Sequence, residues 1–358
     1  WIRPHMAPPT PPVATAIALT AASLLACALC TRRRGAVRLS RALRRSVKVV
    51  TLPETQIVDG QPFPLTLSPR DAHATAADRL AMMHEHHDEI LGLVRSHGAV
   101  LLRGWGACSA MHFSELMAQL QLQLTQMACS AGPRFQVAAN VFTANEAPPS
   151  EPIPFHHEMA QCDDKPSFVC FFCERPAAER GATPILPSRA VATHLRKAHP
   201  EFAEELARLG VRYARTLPAQ DDPTSPIGKS WPKAFEAATR EQAEAAMAAA
   251  GTSWTWLPGG DVRTVTKTTP ALRRHARTGR EMFFNAAVAA HQGWVDARND
   301  PTKAVLLGDG TELDAAALGA LASVGGFMAA NQVAIPWQAG DVLLLDNFKA
   351  MHSRQTFV

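Results

Sequence analysis

Residues 154–161, with the sequence PFHHEMAQ, place two adjacent histidines directly before a glutamate. In extended backbone alternate side chains share a face, so His156 and Glu158 are predicted to point the same way and His157 to point away. An imidazole and a carboxylate on one face can bind a cation from one side and leave its other positions open. Taken alone, these residues favour a capped loop with an ordinary pair of histidines, and half of a metal site is the alternative.

A complete shell needs a further ligand, and His352 is the best candidate for it. His352 follows an apolar stretch, residues 342–345, and the pair Asp346-Asn347, a pattern typical of a strand and turn that bring a side chain to the end of a sheet. Two histidines and one carboxylate with open positions suit non-haem Fe(II) and oxygen chemistry. Asn347 is a candidate for a residue that orients the ligands.

Other motifs are better explained without a catalytic role. The sequence HEHHDE at 84–89 is not the HExxH metalloprotease motif, because Asp88 stands where the second histidine would be. Within it, His84, His87 and Asp88 are predicted to share the solvent face of a helix. Cys170 and Cys173 have CxxC spacing within an apolar run, which is typical of buried thiols. The sequence contains neither the GxSxG motif of serine hydrolases nor a Walker-type phosphate loop.

The elements that must position these residues alternate between helical and strand patterns. Apolar residues at helical spacing predict helices over 76–97, 111–124, 194–210 and 239–251. Short apolar runs bounded by turn residues predict strands over 99–104, 135–143, 167–174, 281–288 and 341–347. Many short strands without a regular βαβ alternation favour an α+β fold, with an antiparallel sheet and helical insertions, over a doubly wound sheet.

The charge of the 358-residue chain is unevenly distributed. The formal net charge is +4, yet residues 1–53 hold nine of the 36 Lys and Arg residues and none of the 32 Asp and Glu residues. The rest of the chain therefore has a net charge of −5. A mildly acidic body argues against a nucleic-acid-binding surface, so no nucleic-acid partner is expected.

The basic N-terminal region is expected to be a leader. Residues 13–30 contain no charged side chain, and an arginine-rich, acid-free segment follows them. Residues 1–50 are therefore interpreted as an organelle-targeting leader or a membrane anchor, partly disordered, and the folded domain as residues 51–358. Without such a leader the protein is expected to be cytoplasmic. Because the sequence runs from Trp1 to Val358, we expect both ends to be cut from a longer chain.

Several segments together resemble one known family. The sequences PFHHEMAQ, PSFVCFFCERP, RGATPI and WQAGDVLLLDNFKAMHSR, in this order, resemble the taurine dioxygenase-like (TauD/TfdA) family of Fe(II)/2-oxoglutarate oxygenases. Glu158 stands in place of the family's usual aspartate, and this makes the sequence most similar to the clavaminate synthase-like branch. The resemblance covers roughly residues 55–358. It implies a double-stranded β-helix, that is, a jelly-roll barrel with flanking helices, and it implies that His156, Glu158 and His352 bind the metal.

The resemblance also implies a cosubstrate and a reaction. Thr183 matches the residue that binds 2-oxoglutarate, and the implied enzyme uses Fe(II), 2-oxoglutarate and O₂ to oxidise a small molecule, with release of succinate and CO₂. The family also holds the 2-oxoglutarate carboxylate with an arginine well beyond the distal histidine. The sequence stops before that position, and Arg354 follows His352 too closely to be the expected replacement.

The remaining predictions are less specific. Asn285, Asn347 and His157 are candidates for the pocket wall, although His157 is interpreted chiefly as a hydrogen-bonded bystander. Two alternatives to the oxygenase stay open, a non-catalytic binding protein on the same barrel and a cupin-like metal hydrolase or isomerase. The sequence identifies neither the substrate nor the oligomeric state, and residues 13–30 leave a membrane contact open.

Overall fold

The computed structural model describes residues 38–123, 134–144, 148–162, 164–225 and 227–358. Within them, helices α1–α10 cover Arg41–Ser46, Ala76–Glu85, His87–His97, Ala110–Ala118, Ser188–Ala198, Pro200–Leu209, Trp231–Ala234, Arg240–Ala249, Ala287–Gly293 and Ala315–Asn331. Strands β1–β9 cover Val47–Val50, Gln56–Val58, Gln61–Phe63, Leu65–Pro69, Ala99–Leu102, Gln136–Ala138, Val141–Phe142, Ile153–His156 and Phe168–Phe172. Strands β10–β18 cover Ile185–Pro187, Val211–Leu217, Ser253–Trp256, Val262–Val265, Leu272–Arg274, Glu281–Phe283, Val305–Leu307, Val342–Asp346 and Ala350–Arg354.

The largest sheet has five strands in the order β1-β4-β5-β17-β9. Its pairs are antiparallel except for β4 and β5, which run parallel. In β17, Val342 and Leu344 join the core beneath helices α2–α4, whereas Leu343 and Leu345 join a second core on the opposite face. Both faces of β17 are therefore covered, which explains why residues 342–345 are all apolar instead of alternating.

A second sheet lies against the inner face of the first. It has three antiparallel strands in the order β10-β18-β8. Ile185 of β10 and Ala350 of β18 share the inner core with Leu343 and Leu345 of the large sheet. The other face, which includes Leu186 and Met351, packs with α5, α9 and α10 in the largest core cluster. The short central strand β18 is thus fixed from both sides.

The α+β prediction is confirmed, but several element boundaries are wrong. The helix predicted over 76–97 is two helices, separated at His86, whose backbone leaves the helical region (φ −111°, ψ 15°) and whose side chain is buried. The strand predicted over 135–143 is the hairpin β6–β7, which turns at Asn140 with a positive φ of 59°. Of the three residues predicted to be solvated, His84 and Asp88 are exposed and His87 is half-buried.

The fold also begins before the expected boundary at residue 51. Leu43 in α1 and Val47 in β1 are fully buried, and β1 pairs along its length with β4. Residues 41–50 therefore belong to the folded body, because burial of these apolar side chains and pairing with a central sheet fix them there. Most of the expected leader, residues 1–37, lies outside the described residues, and in the described ranges no helix combines the length and hydropathy needed to cross a bilayer.

Candidate metal centre

Three neighbouring strands bring the predicted ligands together. Strand β18 pairs with β8 on one side and β10 on the other, and His352 lies opposite both His156 and Ile185 in the register. The rings of His156 and His352 are 4.3 Å apart between centroids. Glu158 follows β8 by two residues, so it returns to the same face as His156, as extended-backbone alternation predicted.

One nitrogen or oxygen atom from each of His156, Glu158 and His352 lies within 4.8 Å of the other two. Among the described residues this is the one group of three or more such side chains with that spacing. Oε2 of Glu158 is 3.6 Å from Nε2 of His352 and 4.0 Å from Nε2 of His156. Both distances are longer than a good hydrogen bond. The three ligand atoms therefore leave a small space between them.

Charge and protonation in the group suit a bound cation. Burial lowers the pKa of His156 to about 4, with a further contribution from His352, so its imidazole is neutral near pH 7. Burial by itself would raise the pKa of Glu158, but the guanidinium of Arg134 and the two imidazoles hold that pKa well below its ordinary value. The site thus presents an ionised carboxylate and a neutral imidazole, the states in which these groups bind metals.

The orientation of His156 is fixed by its backbone neighbour. Nδ1 of His156 lies 2.9 Å from the carbonyl oxygen of Pro154 and donates to it. The proton is therefore on Nδ1, and the lone pair of Nε2 points towards Glu158. On the other ring, Nδ1 of His352 is buried and has no hydrogen-bond partner, and Phe171 packs against the ring at 4.9 Å between centroids.

His157 points away from the group, as predicted, and it is a hydrogen-bonded core residue. Its side chain is 1% exposed. Nδ1 donates to the backbone oxygen of Asn347, and Nε2 lies against the Ser188 hydroxyl and 3.1 Å from the carbonyl oxygen of Phe283. His157 therefore ties β8 to three other segments and leaves the ligand positions to His156 and Glu158.

Asn347 is the residue that holds Glu158 in place. Its side-chain oxygen accepts from the Glu158 N–H at 2.9 Å, and its amide nitrogen donates to the Glu158 carbonyl at 3.0 Å and to Pro166 at 2.9 Å. These contacts stabilise a tight turn in which Met159 has a positive φ of 55°. The sequence analysis predicted that Asn347 orients the ligand histidines or lines the pocket. In the structure its side chain hydrogen-bonds the backbone of Glu158.

Sequence reasoning missed Arg134. One guanidinium nitrogen of Arg134 donates to Glu158, 3.2 Å from Oε1 and 3.4 Å from Oε2. The Arg134 side chain is 19% exposed and that of Glu158 is 9% exposed. Arg134 precedes the hairpin β6–β7, in a segment without any recognisable motif, so no local signal could have identified it.

Thr183, the residue predicted to bind 2-oxoglutarate, lies just before β10 of the three-stranded sheet that carries His156 and His352. Thr183 is half-buried, two residues before Ile185, the residue that pairs with His352. The indole N–H of Trp337 donates to Oγ1 of Thr183 at 3.2 Å. A hydroxyl that accepts from Trp337 keeps its own proton for another acceptor, such as a carboxylate.

Two other sequence candidates have structural roles. Asn285 is buried, where its amide donates to Ala271 and its oxygen accepts from the Ala287 N–H at the start of α9. The side chain therefore joins two backbone segments through both its amide and its oxygen. Arg354 donates to the carbonyls of Pro148 and Glu151, which directs its guanidinium towards that loop.

Sequence comparison matches this chain to one protein family and to individual relatives. The family model described as "Taurine catabolism dioxygenase TauD, TfdA family" matches residues 63–358. A clavaminate synthase-like protein of Arabidopsis thaliana is 36% identical over 313 residues, which are 86% of this chain and 93% of the relative. The dapdiamide synthesis protein DdaC of Enterobacter agglomerans is 26% identical over 288 residues, 76% of this chain and 82% of the relative.

Among solved structures, one similar chain is PvcB from Pseudomonas aeruginosa, described as an Fe, alpha-ketoglutarate dependent oxygenase from an isonitrile synthetic pathway. The alignment covers 90% of this chain and 89% of PvcB, with 16% identity and a TM-score of 0.44.

Proposed function

Since this chain belongs to the taurine catabolism dioxygenase TauD, TfdA family and is an Fe(II)- and 2-oxoglutarate-dependent dioxygenase, we propose that His156, Glu158 and His352 hold its iron. The observation that carries this assignment is the meeting of three ligand atoms within 4.8 Å. They come from β8, the turn after it and β18, which are neighbours in space and distant in sequence.

The donor set fits Fe(II). Two imidazoles and one carboxylate on one side of an ion leave the opposite positions open, which is the arrangement that non-haem Fe(II) oxygenases require. Nδ1 of His156 is already committed to the Pro154 carbonyl, so the ring can offer Nε2 without rearrangement. When bound, the iron supplies the O₂-dependent oxidation of substrate that is coupled to conversion of 2-oxoglutarate to succinate and CO₂.

The protein's own residues orient the reactants. Asn347 fixes the backbone of Glu158, and His157 fixes the strand that carries His156. Thr183 is proposed to donate its hydroxyl proton to a carboxylate of 2-oxoglutarate, with Trp337 holding the oxygen. Arg354 is a poor candidate for a second carboxylate contact, because its guanidinium binds two backbone carbonyls.

We propose that the five-stranded and three-stranded sheets, which face each other across the core containing Leu101, Ile185 and Leu343, form the jelly-roll barrel of the family. The substrate is a small molecule, as the family implies.

A turnover assay tests the proposed function. The full-length protein, supplied with Fe(II) and 2-oxoglutarate under air, should release succinate, and the release should require Fe(II) and be abolished in His156→Ala. Iron binding without succinate release would favour a non-catalytic binding protein on this fold. Turnover of a substrate in the absence of 2-oxoglutarate would favour a metal hydrolase or isomerase.

A further inference from the structure

The carboxylate of Glu158 has two differently placed oxygens. Oε2 faces the imidazoles of His352 and His156 at 3.6 Å and 4.0 Å. One guanidinium nitrogen of Arg134 lies 3.2 Å from Oε1 and 3.4 Å from Oε2. A metal ion bound at Oε2 would therefore share this one carboxylate with Arg134. A guanidinium–carboxylate contact of this kind is a charge-assisted hydrogen bond, stronger than a neutral one.

Two positive charges then compete for one negative charge. Before a metal binds, Arg134 balances the charge of Glu158, whose side chain is only 9% exposed. A divalent cation bound to the same carboxylate would be repelled by the guanidinium, which lies within 3.4 Å of both oxygens. The same positive charge attracts any dianion that reaches the metal centre, including 2-oxoglutarate. Such effects are strong where water is largely excluded.

We propose that Arg134 is a charge-balancing residue of the metal centre, which neutralises Glu158 in the metal-free protein, weakens the binding of the divalent cation and strengthens the binding of the keto acid. The proposal rests on the proposed function, because it requires the metal at His156, Glu158 and His352. Arg134 is a positioning residue in this account, since it acts through Glu158.

The proposal predicts opposite changes in two affinities. Replacing Arg134 by Gln keeps a hydrogen-bond donor near Oε1 and removes the charge. The dissociation constant for Mn(II) should fall by about tenfold, and that of the Mn(II)-loaded protein for 2-oxoglutarate should rise by a similar factor. A purely structural role for Arg134 predicts something else, because a distorted site binds both the metal and the keto acid more weakly.

Calorimetric titration of the full-length protein at pH 7.5, first with Mn(II) and then with 2-oxoglutarate, measures both constants. Arg134→Lys keeps the charge and should stay close to wild type in both. Arg298→Gln is a matched control, because Arg298 is also a partly buried arginine paired with carboxylates, Asp222 and Asp261, away from the metal centre. It should change neither constant.

The outcomes distinguish failure of the charge-balancing role of Arg134 from failure of the proposed metal site. Unchanged or weaker Mn(II) binding in Arg134→Gln, or tighter binding of 2-oxoglutarate, overturns the charge-balancing role. If Arg134→Gln does not fold, as judged by its melting curve, Arg134→Met removes the same charge and is held to the same result. Failure of wild type to bind Mn(II), or unimpaired binding by His156→Ala, would instead contradict the proposed metal site itself.

Discussion

His156 and His352 face each other across the antiparallel pair of strands β8 and β18, with their ring centroids 4.3 Å apart and their planes at 55°. Neither strand could present the pair without the other, because each contributes one imidazole. The register of these two strands therefore decides whether a metal site exists. A slip of one residue would turn His352 to the opposite face of the sheet.

The adjacent histidines His156 and His157 should respond differently to mutation. His157→Ala removes a side chain buried in hydrogen bonds to Asn347 and Ser188, so we expect a loss of about 2–4 kcal/mol in the free energy of unfolding. His156→Ala truncates a side chain that is 20% exposed, and should cost less than about 1 kcal/mol while abolishing metal binding. Urea unfolding of the metal-free proteins and Mn(II) titration measure the two effects. The same loss of stability in both variants would contradict these roles.

Asn347 should stabilise the turn that carries Glu158. Asn347→Ala leaves the N–H and carbonyl of Glu158 without their partners in a buried position, so the expected loss is about 2–4 kcal/mol, together with weaker Mn(II) binding. Asn347→Asp keeps the acceptor for the Glu158 N–H but loses both amide donations, and should also impair the protein. Urea unfolding and Mn(II) titration again give the measurement, and a wild-type metal affinity in Asn347→Ala would refute the contribution of this side chain.

Asp346 should make the protein less stable as the pH rises from about 4 to about 6. Burial raises the pKa of Asp346 from 3.8 to about 6, against the smaller effects of the Phe348 N–H and Lys349. The folded protein therefore binds a proton that the unfolded chain has released, and stability falls across this interval.

The Asp346→Asn variant isolates this effect. Its side-chain oxygen can still accept from the Phe348 N–H, which lies 3.0 Å away in the wild type. We expect the variant to be about 1–3 kcal/mol more stable than wild type at pH 7 and equal to it near pH 4. Urea unfolding at several pH values tests this, and a difference between the two proteins that does not change with pH would exclude the mechanism.

Trp337 should affect the cosubstrate more than the fold. Trp337→Phe removes the indole donor to Thr183 and keeps an aromatic ring, so KM for 2-oxoglutarate should rise by roughly three- to tenfold, equivalent to one hydrogen bond of about 1 kcal/mol. Trp256→Phe is the matched control, because Trp256 lies in strand β12 of another sheet and its indole donates to Glu244 of helix α8. Succinate release at varied 2-oxoglutarate gives KM for each. Equal values in Trp337→Phe and wild type would count against a role for Thr183.

The sequence predicted that His156 and Glu158 share a face, whereas it indicated the position of His352 less directly. Alternation in extended backbone separated His156 and Glu158 from His157 without any structure. His352 could be proposed because an apolar strand and a turn precede it, but its position opposite His156 depends on strand register, which is a property of the whole fold. The resemblance to a family supplied the pairing that spacing could not.

The remaining differences have physical causes that no local pattern encodes. Arg134 contacts Glu158 from a segment that contains no recognisable motif. Its role can therefore be inferred only from the contact between the two side chains. Asn285 was expected to line the pocket, but its amide and its oxygen both satisfy buried backbone groups. Val47 was assigned to the leader because the charge pattern continues through it, although pairing with β4 buries it completely.

We propose that His156, Glu158 and His352 jointly hold one metal ion. The most direct test is the stoichiometry of Mn(II) binding, measured by equilibrium dialysis of wild type, Glu158→Gln, His352→Ala and the control Arg298→Gln, each checked for folding by its melting curve. The account predicts one ion per chain in wild type and the control, and loss of that ion in both ligand variants. Retention of one tightly bound ion by folded His352→Ala would contradict it.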